Sequence, residues 1–175
     1  MRTLASLLLL VAACGIPRPP TLPEGAVRDL AARAPLTVFV FFSAHCPCQA
    51  AHDGRLVALD ARYRPRGVQF FAIDSEVGAS EERAATEAAR RHYTFPILID
   101  KVAQVARRVG AEFATYTIVV DTGGTIRYRG GIDSDRSHLT DDATPYLGDA
   151  LDDLLAGRPP GTAEAKTLGC ALEKP

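Results

Sequence analysis

A chain of 175 residues, 47% of them hydrophobic, holds enough apolar material for one compact domain and no more. Its 20 basic and 21 acidic side chains leave a net charge of −1, with the basic residues dispersed along the chain. That balance removes the electrostatic ground for a nucleic-acid partner and leaves a globular domain.

The chain opens with Met1-Arg2 and an apolar run over residues 4–13 that ends in small side chains. A bilayer span takes about 20 apolar residues, so residues 1–13 read instead as a secretory signal. Val11-Ala12-Ala13-Cys14 resembles the bacterial lipobox, in which the cysteine is lipidated and becomes the first mature residue. Residues 14–23, rich in proline, then form a stiff tether. The expected location is the cell envelope, with Cys14 lipid-anchored to a bacterial membrane on its periplasmic side. Of the four cysteines, Cys46, Cys48 and Cys170 remain as thiols. In an exported protein such an odd set points to exchange chemistry rather than to a static staple.

Residues 24–33 have helical spacing. Residues 36–42, LTVFVFF, form a continuous β-branched and aromatic run, the mark of a strand covered on both faces. Residues 49–63 carry Leu56, Leu59 and Tyr63 at helical spacing, and VQFFAI at 68–73 is a second buried strand. Residues 80–91 form a helix with Ser80 as an incomplete capping box, since Arg83 stands where Glu completes one. A short strand follows at 95–100, then a short helix at 102–109 ended by Gly110. Strands at 115–120 and 125–129 flank Asp121-Thr122-Gly123-Gly124, which predicts a β-hairpin. A closing helix at 146–155 leads to a Gly- and Pro-containing tail. The expected organisation is one α/β domain over 24–157, with a parallel core and an antiparallel hairpin, and a tail over 158–175 that carries Cys170.

Cys46-Pro47-Cys48 falls where the first buried strand gives way to a helix, the end of an open α/β sheet where sites gather. The strand running into a Cys-Pro pair, VQFFAID, YTFPILID, TYTIVVDTGGTIRYRGGID and LGCALEKP together resemble the thioredoxin-fold redoxins. This is the alkyl hydroperoxide reductase and thiol-specific antioxidant group, in its exported lipoprotein form. The resemblance implies a thioredoxin-like fold, a central mixed sheet flanked by helices, with no cofactor or resident metal. Three features depart from the family pattern. One residue rather than two separates Cys46 from Cys48, Tyr116 stands where a proline usually precedes the hairpin, and Ser43 keeps part of the peroxidase motif while Phe39 replaces its proline.

The expected activity is thiol–disulfide exchange with protein or small-molecule partners. Cys46 is the nucleophile, because the first N–H groups of the following helix favour a thiolate there. Pro47 suits the first helical position. Cys48 or Cys170 resolves. A Cys46–Cys48 ring is strained. Closing the long loop to Cys170 adds only about 0.6 kcal/mol per doubling of length, so the stable oxidised form is expected to link Cys170 to Cys46 or Cys48. Two alternatives stay open: a thiol peroxidase consuming peroxide, and a copper carrier in which the cysteines, helped by His45, His52, His92 or His138, bind Cu(I). The acidic residues Asp133, Asp135, Asp141 and Asp142 read as a solvated loop with Arg136.

Overall fold

The computed structural model describes residues 25–175. The signal segment 1–13, Cys14 and the tether 14–23 lie outside the described residues. A five-stranded mixed sheet, in the order β3-β2-β1-β4-β5, organises the rest. Strand β1 (Leu36–Phe42) is central and buried along its whole length, because its run of Val and Phe has an apolar layer on each side. Val38, Val40 and Phe42 point to one layer, while Phe39 and Phe41 point to the other. Parallel to β1 runs β2 (Val68–Asp74), in register from Leu36 opposite Val68 to Phe42 opposite Asp74, and β3 (Ile97–Ile99) continues the parallel half. Antiparallel to β1 runs β4 (Thr117–Asp121), which turns back into β5 (Ile126–Gly130).

Two helices cover the Val38 side. They are α2 (Pro47–Tyr63), through Leu56 and Tyr63, and the closing helix α5 (Tyr146–Leu155), through Leu147 and Leu151, with α3 (Glu81–Arg90) adding Ala84 at the margin. The Phe39 side is covered by α1 (Ala26–Ala31), by α4 (Gln104–Val109) through Ala106 and Val109, and by Leu172 of the tail. Cys46 and Cys48 belong to this second layer.

Each shift from the expected boundaries has a local cause. Helix α2 starts at Pro47, earlier than residue 49, since proline's missing N–H is no loss in the first turn. Ser80 does cap α3: its hydroxyl accepts from Arg83 N at 3.2 Å, the half of the capping box that needs no glutamate. Strand β3 shortens to three residues. Pro96 can only accept, and its carbonyl does so from Ala72 N at 3.0 Å. Strand β4 starts at Thr117 because Thr115 has φ 67, which turns residues 113–116 toward the end of β1. There Thr115 N donates to Phe41 O and Phe41 N donates to Tyr116 O, both at 2.8 Å. At the hairpin the Asp121 carboxylate accepts from Gly123 N and Thr125 N, closing the turn.

After α5 the tail is docked on the domain. Residues 163–165 lie along the outer edge of β5, where Arg129 N donates to Ala163 O and Ala165 N donates to Arg129 O, both at 3.0 Å. The tail thereby satisfies the open edge of the sheet. It then crosses to residues 112–114: Ala114 N donates to Cys170 O at 2.8 Å and Leu172 N to Glu112 O at 2.9 Å.

Candidate active site: three thiols at the end of the central strand

Beyond Phe42, where β1 ends, the chain turns through Ser43, Ala44 and His45 to Cys46, which is the N-cap of α2 with extended backbone (φ −82, ψ 116). An N-cap side chain faces the orphan N–H groups of the first helical turn. Here that side chain is a thiol, and its sulfur accepts from Gln49 N at 3.4 Å. The tail supplies a second backbone donor, Cys170 N, also at 3.4 Å. Cys170 Sγ lies 2.7 Å from Cys46 Sγ, and the three sulfurs of Cys46, Cys48 and Cys170 all fall within 4.8 Å of one another. Cys46 and Cys48 are each 2% exposed, and Cys170 is half-buried.

The electrostatics separate the two facing sulfurs. Burial on its own raises the Cys46 thiol, but hydrogen bonds from Cys170 and from the main-chain N–H groups of Gln49, Cys170 and Cys48 outweigh it, and the net shift is downward. Burial pushes the Cys170 thiol the other way, up to about 12, reinforced by its hydrogen bond to Cys46 and by repulsion from the neighbouring sulfurs. Cys46 is therefore the more acidic of the two sulfurs, and the pair gives up its first proton there while Cys170 keeps its own. A capped, acidic sulfur beside one that holds its proton is the arrangement that attacks a disulfide and is then resolved.

Gly169 fixes the approach of the tail. A Cβ at this position would lie 1.7 Å from Ala114 O, so only glycine lets the chain pass there. Toward the C-terminus, Val77 N donates to Glu173 O at 2.8 Å and Lys174 Nζ to Ala111 O at 2.9 Å.

A second polar cluster lies one turn along α2. His52, 2% exposed, has Nδ1 at 2.7 Å from Cys48 O and Nε2 at 3.0 Å from Asp133 Oδ1. Both partners are acceptors, so both ring nitrogens carry protons and the ring is an imidazolium. Burial would lower this group, but the hydrogen bonds to Asp133 and to the Cys48 carbonyl raise it. Burial likewise pushes Asp133 up, and His52, Arg55 and the Asp135 N–H together bring it below its ordinary range. Arg55 Nη1 donates to Asp133 at 2.6 Å and to Asp135 at 3.0 Å. Asp133 is thus 5% exposed and ion-paired, which corrects its reading as a solvated loop residue. No run of charge or periodicity announces it, and the only sequence signal is that His52 falls four residues after Cys48 on the same helix face.

Arg91 is the other residue that the sequence reading missed. Its buried guanidinium donates to Ala44 O at 2.8 Å, Asp53 Oδ2 at 2.7 Å and Glu87 Oε2 at 2.9 Å. It also lies 4.9 Å from the centroid of the Phe42 ring. Arg91 therefore holds the turn between β1 and Cys46. Gln49 Nε2 donates to Tyr93 OH at 2.9 Å, which ties the first turn of α2 to the same cluster. His45, His92 and His138 are exposed, and among the described residues no histidine joins the three sulfurs.

Residues 25–143 match the family model described as Redoxin. The chain belongs to the redoxin family. Among solved structures, this redoxin is similar to an uncharacterized conserved protein from Geobacillus kaustophilus, with 30% identity and a TM-score of 0.75 over 89% of this chain and 88% of that one. A hypothetical protein from Sinorhizobium meliloti 1021 is 24% identical, with a TM-score of 0.79 over 92% of this chain and 96% of that one. A thioredoxin-like protein solved in its oxidized form is 16% identical, with a TM-score of 0.57 over 81% of the redoxin and 97% of that chain. No curated protein matches the redoxin in sequence. The α/β architecture is thus thioredoxin-like, and Cys170 lies beyond the matched residues, on the docked tail.

Proposed function

We propose that this redoxin is a thiol–disulfide oxidoreductase in which Cys46 attacks and Cys170 resolves. The observation that carries the reading is the 2.7 Å approach of Cys170 Sγ to a Cys46 sulfur that two backbone N–H groups already cap. In the forward direction the Cys46 thiolate attacks one sulfur of a substrate disulfide. The new bond joins Cys46 to that sulfur, and the other sulfur leaves as a thiolate and takes up a proton. Cys170 then gives up its proton and attacks Cys46 Sγ, forming the Cys46–Cys170 disulfide and expelling the second substrate thiol. Two electrons pass from the two cysteines to the substrate, and an external dithiol restores them by the reverse steps.

The reading extends to location. Cys14 follows Val11-Ala12-Ala13, so we assign it as a lipid anchor holding the domain on the periplasmic side of a bacterial membrane. Among the described residues no helix is long and apolar enough to cross a membrane.

Peptide mapping of the oxidised protein after acid quench tests the assignment. A Cys46–Cys170 linkage is expected, together with a trapped mixed disulfide on Cys46 in the Cys170→Ser variant during insulin reduction. An unlinked Cys170 in every oxidised molecule overturns it. Rapid peroxide consumption without disulfide exchange would instead mark a thiol peroxidase.

A further inference from the structure

The Cys46–Cys170 couple leaves a buried thiol unused. Cys48, on the first turn of α2, is 2% exposed, yet its sulfur completes a triangle in which no two sulfurs are more than 4.8 Å apart. Two sulfurs suffice for disulfide exchange, so the exchange reading leaves the third without an assigned role. We propose that the reduced trio is a binding site for one soft monovalent cation, Cu(I), held by the three thiolates.

Distance, donor set and burial carry the inference. A metal–thiolate bond of about 2.3 Å places the sulfurs of a trigonal site about 4.0 Å apart. The triangle spans 4.8 Å at most, so Cys48 is within reach as it stands. Cys170, now 2.7 Å from Cys46, has to back away by about 1.3 Å to reach that spacing, a movement open to a half-buried side chain on the tail. The donors are all sulfur, which selects a soft ion over magnesium or calcium. Structural zinc sites take four protein ligands, and among the described residues the group of candidate ligands contains the three cysteines alone. His52, the nearest histidine along α2, has both ring nitrogens committed, to Cys48 O and to Asp133. Three thiolates with no fourth donor suit a three-coordinate monovalent ion. The excess negative charge of such a site faces the N–H groups of Gln49 and Cys170, which already point at Cys46 Sγ.

Binding displaces the protons that the thiols still carry and changes no oxidation state, so release to a partner is a plain exchange of one set of thiolates for another. The site is conditional on the redox state of the couple. Forming the Cys46–Cys170 disulfide removes two of the three donors, so only the reduced protein binds the ion. The metal site does not depend on which disulfide the protein reduces, or on whether it reduces any.

The test is an anaerobic titration of the reduced full chain, in a Cys14→Ser background that leaves only the three thiols, with Cu(I) presented as its bathocuproine disulfonate complex. Loss of the coloured complex should show uptake of one Cu(I) per chain, and protein oxidised with diamide should take up none. Cys46→Ser, Cys48→Ser and Cys170→Ser should each weaken binding at least tenfold. X-ray absorption on the parent should show three sulfur neighbours and no nitrogen or oxygen, a readout that does not depend on whether the variants fold. Two sulfur neighbours, a Cys48→Ser variant as tight as its parent, or no uptake by the reduced chain would each overturn the proposal. Insulin reduction without Cu(I) uptake refutes this site alone, and uptake without insulin reduction refutes the exchange reading alone.

Discussion

Replacing Gly169 with alanine isolates what the docked tail contributes, because it leaves all three cysteines in place. The new Cβ would lie 1.7 Å from Ala114 O and 2.7 Å from Ala114 C, where ordinary contact starts at 3.4 Å. Both atoms belong to the backbone, so the tail has to move away from residue 114 by more than about 1.5 Å. That movement breaks the hydrogen bond from Ala114 N to Cys170 O and the one from Cys170 N to Cys46 Sγ. At about 1 kcal/mol each, the loss is about 2 kcal/mol of docking, or about a thirtyfold fall in the equilibrium constant for closing the Cys46–Cys170 disulfide. In a two-electron couple this moves the reduction potential about 40 mV toward more oxidising values. Equilibration in glutathione buffers, acid quench and counting of alkylated thiols by mass read the shift. Gly161→Ala is the matched control, since its Cβ would meet only Asp153 Oδ2 at 3.8 Å. A Gly169→Ala potential equal to that of the parent would refute the view that tail docking sets the couple.

The remaining predictions concern the groups that hold the site and the proposed anchor. Asp133→Asn leaves the buried His52 ring without its counter-charge and should cost about 3 kcal/mol of stability at pH 5.5. His52 is raised and Asp133 lowered in the fold. The contribution of His52 is therefore complete below its unfolded value of about 6.5 and fades as pH rises through the folded one; that of Asp133 is complete above about 4 and fades as pH falls. The gap in Tm between parent and variant should be widest between those limits, and a gap that does not change with pH would contradict the ion pair. Arg91→Met takes one partner from Asp53, which keeps Tyr93 OH, and one from Glu87, which keeps Arg90, and it frees the Ala44 carbonyl. It should lower stability by about 2–3 kcal/mol in urea unfolding and slow alkylation of Cys46 by a matched agent. Cys14→Ala should shift the protein from the membrane fraction to the soluble one, with an intact domain by circular dichroism.

Much of the scaffold is readable from residue type. LTVFVFF has no charge and a single polar position, Thr37, and only a strand with an apolar layer on each side accepts such a run, so β1 is identifiable as central. Asp121 and the two glycines after Thr122 carry the hairpin in their own turn chemistry. Cys46 is readable too, since Pro47 marks the first helical residue and so makes the preceding sulfur the cap. The partner of that sulfur is less readable. Cys48 and Cys170 are both admissible from sequence, because the tail docks through main-chain hydrogen bonds and through the missing side chain of Gly169, and neither leaves a periodic trace. Asp133 and Arg91 elude the sequence for a related reason. A charge in a loop or at a helix end looks solvated until its partners are known, and His52 and Ala44 are 81 and 47 residues away.

The separation of 124 residues between Cys46 and Cys170 also bears on biogenesis. Synthesis delivers Cys46 and Cys48 together, and Cys170, the proposed resolving cysteine, only much later. Loop closure over that distance follows local structure in folding. During the interval the sulfur nearest to Cys46 along the chain is Cys48, two positions on. Under the proposed exchange mechanism, oxidation in that interval would close the small ring first, and Cys170 would then have to dock to reopen it. Truncation after residue 171 removes Leu172 and Lys174, two of the contacts by which the tail holds Cys170 in reach, and should leave a folded domain enriched in the small-ring disulfide.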